Sequence, residues 1–113
     1  MSDDVLRHLF LGFMRLHVLY HAGKESICGA EIMEELWHHG YDIGPGTLYP
    51  MLRQLQEGGF LSSEDEVVEG KRRKNLRITP NGRKLLAKAR DQLKELVGEV
   101  LDDRDEREMR KRK

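Results

Sequence analysis

The sequence predicts a mainly α fold with one small β-hairpin, and three observations predict it. Four stretches carry apolar residues at helical spacing. Between the third and the fourth, the period changes and two short strand-like runs flank Gly70. The last helical stretch repeats Leu86, Ala89, Leu93, Leu96 and Val100 three and four residues apart, which is a seam of the coiled-coil kind. The 113 residues suffice for one domain with a modest core.

The first helix spans residues 3–21. Ser2 or Asp3 can cap it, and acids at its start suit the helix dipole. Leu6, Leu9, Phe10, Phe13, Leu16 and Tyr20 mark its expected buried side, and Val5, Leu11, Met14, Val18 and Leu19 widen the apolar zone beyond one stripe. A helix apolar nearly all round needs cover on two sides, and in so small a chain the second cover is expected from another subunit. His17 and His21 lie four apart on it, at metal-ligand spacing. The plain reading is two surface or partly buried histidines. Cys28, His38 and His39 could complete a site only if the fold brought them close, so no metal ligand set is assigned.

Ala22 to Ser26 reads as a turn, and a second helix as Ile27 to His39, capped by Ser26 and ended by Gly40. Ile32, Met33, Leu36 and Trp37 form its apolar face, with Trp37 expected in the core. Tyr41 to Ile43 is a connector into GPGTLYPMLRQLQEGGF, residues 44–60, which holds a third helix over 45–58.

Leu48, Met51, Leu52 and Leu55 give this third helix its core face. The opposite face carries Gly46, Pro50 and Arg53, with Thr47, Tyr49 and Gln54 toward its edges. Gly46 or Thr47 is the expected N-cap, and Gly58 and Gly59 the stop. Pro50 is tolerable if the helix begins near Gly46, because first-turn N–H groups have no partner inside the helix. A helix start stripped of bulk, with free N–H groups, a hydroxyl, a phenol and an arginine, suits an approach to phosphate. Taken alone, it also reads as an ordinary surface helix packed on a core.

The runs Phe60 to Asp65 and Leu76 to Thr79 read as strands joined through Glu66 to Lys74. The second arm opens on Lys71, Arg72, Arg73 and Lys74. In isolation this run is a solvated loop; after a helix with a phosphate-ready face it reads as a wing gripping a DNA backbone. Thr79 and Pro80 start the last helix, which runs to about Asp103. Leu85, Val97 and Leu101 widen its seam, as expected if it packs on its own domain and on a second chain; a single-chain core helix is the alternative. The polar remainder, residues 104–113, is expected to be a disordered charged tail, with a helix extension held by charge pairs as the alternative. The division is thus a DNA-binding domain over 1–79, a dimerisation helix over 80–103 and the tail.

Net charge is zero, but residues 1–70 hold 4 Lys and Arg against 12 Asp and Glu, whereas residues 71–113 hold 16 against 8. The steepest patch, Lys71 to Lys84, has seven basic residues and no acidic one, so a locally basic surface can meet an acidic partner. Mean hydropathy is −0.67, low for a self-sufficient globule. The single cysteine, Cys28, excludes an internal disulfide framework and fits a reducing cytoplasm. The start has no signal-peptide pattern, and no stretch is apolar enough to span a membrane. No paired carboxylates, nucleophile–base arrangement or phosphate-cradling glycine loop stands in a suitable context, so an enzyme is not expected.

Helix, helix, helix, hairpin, helix is the order of a winged helix-turn-helix with an added C-terminal helix. Here the chain resembles the PadR family of transcription regulators, over about residues 9–100. GTLYPMLRQLQEGGFL, GKRRKNLRIT and TPNGRKLL carry the resemblance, and the run at 46–50 is its most specific mark. The resemblance implies a homodimeric regulator, usually a repressor, on a palindromic operator in double-stranded DNA. It places Thr47, Tyr49 and Pro50 at the start of the recognition helix and the 71–74 run in the wing. Arg53 and Gln54 are the candidates for base edges, and Gly46 lets the backbone approach. The interface it implies joins the first helix, with Leu6, Phe10 and Phe13, to the last, with Leu86, Ala89, Leu93, Leu96, Val97 and Val100. Asn75 and Leu76 stand where the family often has two aromatics, and Cys28, Gly29 and Ala30 where it often has a tyrosine-glycine-tyrosine run. Some members bind phenolic acids or drugs against a tryptophan of the last helix. This chain has none there, so a small-molecule effector stays open and no effector site or cofactor is assigned. Two other readings remain: a winged helix used for protein contacts, and a metal-responsive regulator using His17 and His21.

Overall fold

A computed structural model describes residues 2–102. In order, it contains α1 (Ser2–Lys24), β1 (Ile27–Cys28), α2 (Gly29–His38), α3 (Pro45–Glu57), β2 (Leu61–Val68), β3 (Lys71–Ile78) and α4 (Pro80–Val100). The strands form one antiparallel sheet in the order β1-β3-β2. The core lies where α1, α2 and α3 meet the sheet. Val18, Leu19, Ile32, Leu36, Leu48 and Leu76 are its fully buried side chains, each contributing about 1.5–3 kcal/mol relative to exposure.

Helix α1 continues through Ala22, which is buried, so the turn expected at Ala22 shrinks to the residues after Lys24. Its inward face also differs from the expected one. The chain's own core takes Met14, Val18, Leu19 and Ala22, while Leu6, Leu9, Phe10 and Tyr20 are exposed. With apolar residues around most of the helix, spacing alone does not select which side the domain keeps.

Ile27 and Cys28 open no helix. They form a two-residue strand, Ile27 opposite Leu76 and Cys28 opposite Asn75. Cys28, not Ser26, is the N-cap of α2, with extended backbone, and its N–H donates to Glu31 Oε1 at 3.1 Å. Cysteine is not among the usual capping residues, which is why the boundary was hidden. Trp37 is half exposed rather than in the core. Its indole N–H donates to the Ile43 carbonyl at 2.8 Å, clasping the connector that leads to α3.

Gly44 is the N-cap of α3 and Pro45 its first residue, so the helix starts earlier than Gly46 or Thr47 would set it. Pro50 consequently sits inside the helix. It cannot donate to the Gly46 carbonyl, but Gly46 is exposed, so water can serve that oxygen. At the far end Gly59, at φ +85°, supplies the left-handed stop, and the Phe60 N–H reaches back to the Leu55 carbonyl at 2.9 Å.

The hairpin is longer than the sequence suggests, because residues 66–68 and 71–75 are strand rather than loop. Glu69 (φ 53°) and Gly70 (φ 78°) make the two-residue connection, both in the left-handed region that tight hairpins require. Past the core the strands are exposed on both faces, and the only apolar residues there, Val67 and Val68, are adjacent, so no alternation marks them. Thr79 caps α4 as expected: its Oγ1 accepts from the Gly82 N–H at 3.0 Å, and its hydroxyl donates to the Gly59 carbonyl at 2.6 Å. A Cβ at Gly82 would run into the Phe60 carbonyl, so α4 starts tight against the strand entry. Helix α4 ends at Val100 instead of near Asp103. The expected tail at 104–113 lies outside the described residues.

Candidate nucleic-acid interface

Burial of Leu48, Met51, Leu52 and Leu55 fixes the rotation of α3. Gly46, Pro50, Arg53 and Gln54 therefore face outward, Tyr49 is 44% exposed and Thr47 is half-buried. The Tyr49 ring lies on Gly29, the first residue of α2; a Cβ there would come within 2.7 Å of the ring. That close approach holds the phenol at the seam between α2 and α3.

Strand β3 alternates, and Leu76 and Ile78 point into the core. Arg72 and Lys74 share their face, beyond the core's edge. A cleft of about 190 Å³ is lined by Gly29, Tyr49, Arg53, Gln56 and Lys74, with Leu52 and Leu76 at its floor. Helix α3 and the wing therefore present Arg53 and Lys74 to one shared concavity.

The basic run is divided by its contacts. Lys71, Arg72 and Lys74 are exposed, while Arg73 is half-buried. Its Nη2 donates to Glu31 Oε1 at 2.5 Å and its Nε to Asn75 Oδ1 at 3.2 Å. Asn75, buried, in turn donates to Glu66. The Cys28 N–H first, and the Arg73 guanidinium after it, hold the Glu31 carboxyl below its usual range. Arg73 thus ties the wing to the start of α2, with its charge already matched. Strand β2 sets Glu64, Asp65 and Glu66 opposite Asn75, Lys74 and Arg73. The exposed pair Arg77–Glu64, at 3.8 Å, contributes little.

Two basic residues beside α3 escaped the sequence reading. Arg15 of α1 donates to Gln54 Oε1 at 3.4 Å. Arg7 and Arg15 also line a cleft with Gly46, Thr47, Pro50 and Gln54. The signal was present: Arg7, Leu11 and Arg15 stand four apart, on one helical face.

Leu6 and Phe10 of α1 and Leu96, Val97 and Val100 of α4 are exposed, and Phe13, Leu86, Ala89 and Leu93 are half-buried. Phe13, Leu86 and Leu93 meet in one groove between the two helices. No helix among the described residues is long and apolar enough to cross a membrane.

Three helices on a small sheet, with the third helix exposed beside a basic two-stranded wing, define a winged helix-turn-helix DNA-binding regulator. Residues 18–88 match the transcriptional regulator PadR-like family, and the chain belongs to that family. It is 48% identical over 88 residues to transcriptional regulator Rv3488 of Mycobacterium tuberculosis, covering 78% of this chain and 82% of that one. A PadR-like transcription factor from Bacteroides fragilis superposes with a TM-score of 0.74 at 28% identity, covering 87% of this chain and 96% of that one. A PadR family regulator from Eggerthella lenta gives 0.65 at 30% identity, over 89% of this chain and 96% of the other. The family is one of transcription regulators, not of enzymes.

Proposed function

We propose that the chain acts as a homodimeric repressor on a palindromic operator, in the cytoplasm. The observation that carries the DNA-facing half is the shared concavity, in which Arg53 of α3 and Lys74 of the wing line one cleft. Helix α3 enters a major groove. Gly46, Pro50, the Thr47 hydroxyl, the Tyr49 phenol and the helix-start amides set its register on phosphates, and Arg53 and Gln54 read base edges. Lys71, Arg72 and Lys74 hold the flanking backbone, and Arg73 braces the wing against α2.

The dimer half rests on the apolar residues that the single chain leaves uncovered. Leu6, Phe10 and Phe13 of α1 and Leu86, Ala89, Leu93, Leu96, Val97 and Val100 of α4 form the interface; residues 1–79 make up the DNA-binding domain, whose α1 joins the dimerisation segment 80–103 in pairing the chains. Two-fold symmetry then spaces the half-sites by one DNA turn, ~34 Å.

The test is a fluorescence-anisotropy titration of DNA upstream of the protein's own gene, at two salt concentrations. Tight, sequence-preferring, salt-sensitive binding is expected. Affinity for that DNA no better than for random duplex would overturn the self-regulating form of the proposal. No binding even at low salt would shift the function to protein contacts.

A further inference from the structure

The fold completes a histidine cluster that sequence spacing left unfinished. His17 and His21 stand one turn apart on α1, and the residue after α2, His39, folds back onto them. The His39 ring stacks on His17 with centroids 4.4 Å apart, and lies 6.1 Å from that of His21. One ring nitrogen from each of the three comes within 4.8 Å of the other two. His21 Nε2 is buried and has no hydrogen-bond partner among the described residues. Its nearest counter-charge is Glu35 Oε2, at 3.7 Å. Burial, then the neighbouring His39 and His21, lower the pKa of His17 from its ordinary value. His38 and Cys28, the other sequence candidates, are not part of the cluster.

We infer that His17, His21 and His39 bind a divalent transition-metal ion of the zinc class, with the Glu35 carboxylate beside the fourth position. Three neutral imidazoles suit zinc and its neighbours, whereas magnesium and calcium require oxygen ligands. Tetrahedral Zn–N bonds of about 2.0–2.1 Å put ligand nitrogens roughly 3.3 Å apart, so the cluster has to draw in by about 1.5 Å. His39 is exposed at a helix end, where that adjustment is small, and it leaves a path for the ion. The buried, unpartnered nitrogen of His21 gains the partner it lacks. Arg90 of α4, which lines the same groove, is a cation that opposes the ion. The site would link α1 to the end of α2, one connector ahead of α3.

The test is a cobalt(II) titration of the full chain followed by visible absorption, then zinc competition against a chromophoric chelator. One ion per chain is expected, with the bands of a four-coordinate centre and no thiolate charge transfer. His39→Gln, on an exposed residue that the fold does not need, should weaken binding by roughly 100-fold, and Glu35→Gln by about 10-fold. Cys28→Ser should leave binding unchanged. Affinity weaker than on the order of 100 µM would overturn the site. So would binding untouched by His39→Gln, or a thiolate band that Cys28→Ser removes. No DNA enters this experiment, so its failure leaves the DNA-binding reading standing.

Discussion

Helix α3 buries Leu48, Met51, Leu52 and Leu55 within its own chain, whereas in α4 the only buried residue is Gly82. Both helices segregate apolar from polar residues, and both begin at a proline behind a cap. The contrast lies in what covers the apolar side. For α3, the domain closes over it and leaves a polar face toward the solvent. Helix α4 leaves Leu96, Val97 and Val100 exposed, and α1 beside it leaves Leu6, Leu9 and Phe10 exposed. Apolar surface gathered on two adjacent helices marks an interaction site rather than scattered surface residues. The stability of the domain and the completion of α4 are therefore separable, and substitutions in the two helices should behave differently.

The largest effect is expected inside the domain. Leu48→Ala removes a fully buried side chain and should cost about 2–5 kcal/mol in urea unfolding. Leu93→Asp should act on assembly instead. Sedimentation should show monomers, with far-UV circular dichroism that still reports a folded domain. A dimer that survives Leu93→Asp would move the interface elsewhere; loss of all structure would put α4 inside the folding core and erase the contrast.

The next effect concerns DNA. Arg72→Ala with Lys74→Ala should weaken binding to all sequences alike. In a dimer this removes four contacts, so the salt slope should flatten by about 3.6, at ~0.9 per phosphate. Arg73→Ala should change that slope less, because its charge is matched by Glu31, and should show mainly as a loosened wing. An equal flattening from Arg73→Ala would contradict the division of roles within the basic run.

The smallest effect is at Glu31. Its folded-state pKa lies below the ordinary 4.5, so its contribution is present above pH 4.5 and lost as pH falls through the lower folded value. The carboxylate is half exposed, so the advantage over Glu31→Gln should be only about 0.5 kcal/mol at pH 7 after solvent screening. Thermal melts of the two proteins should converge in acid. A difference that persists at pH 3 would point to packing rather than charge.

The order of helices and hairpin was legible because each element has its own period or punctuation, and the third helix's core face was readable to the residue. What escaped had physical causes. The two-residue β1 is too short for any alternation, and its cap is a cysteine. The wing strands outrun the core, where both faces are exposed and no apolar alternation forms. Helix α1 is apolar on several sides, so its inward face had to be chosen by packing. Arg73, Arg15 and His39 took their roles from partners 42, 39 and 22 positions away in the chain, a distance no local pattern spans.

The decisive measurement is sedimentation velocity of the protein with a labelled duplex carrying the upstream DNA, repeated with Leu93→Asp. Two chains per duplex for the wild type, and a large loss of affinity for the variant at unchanged fold, are the expected result. One chain per duplex, or a variant that binds as tightly as the wild type, would contradict the assignment of α1 and α4 as the surface that pairs two DNA-binding domains.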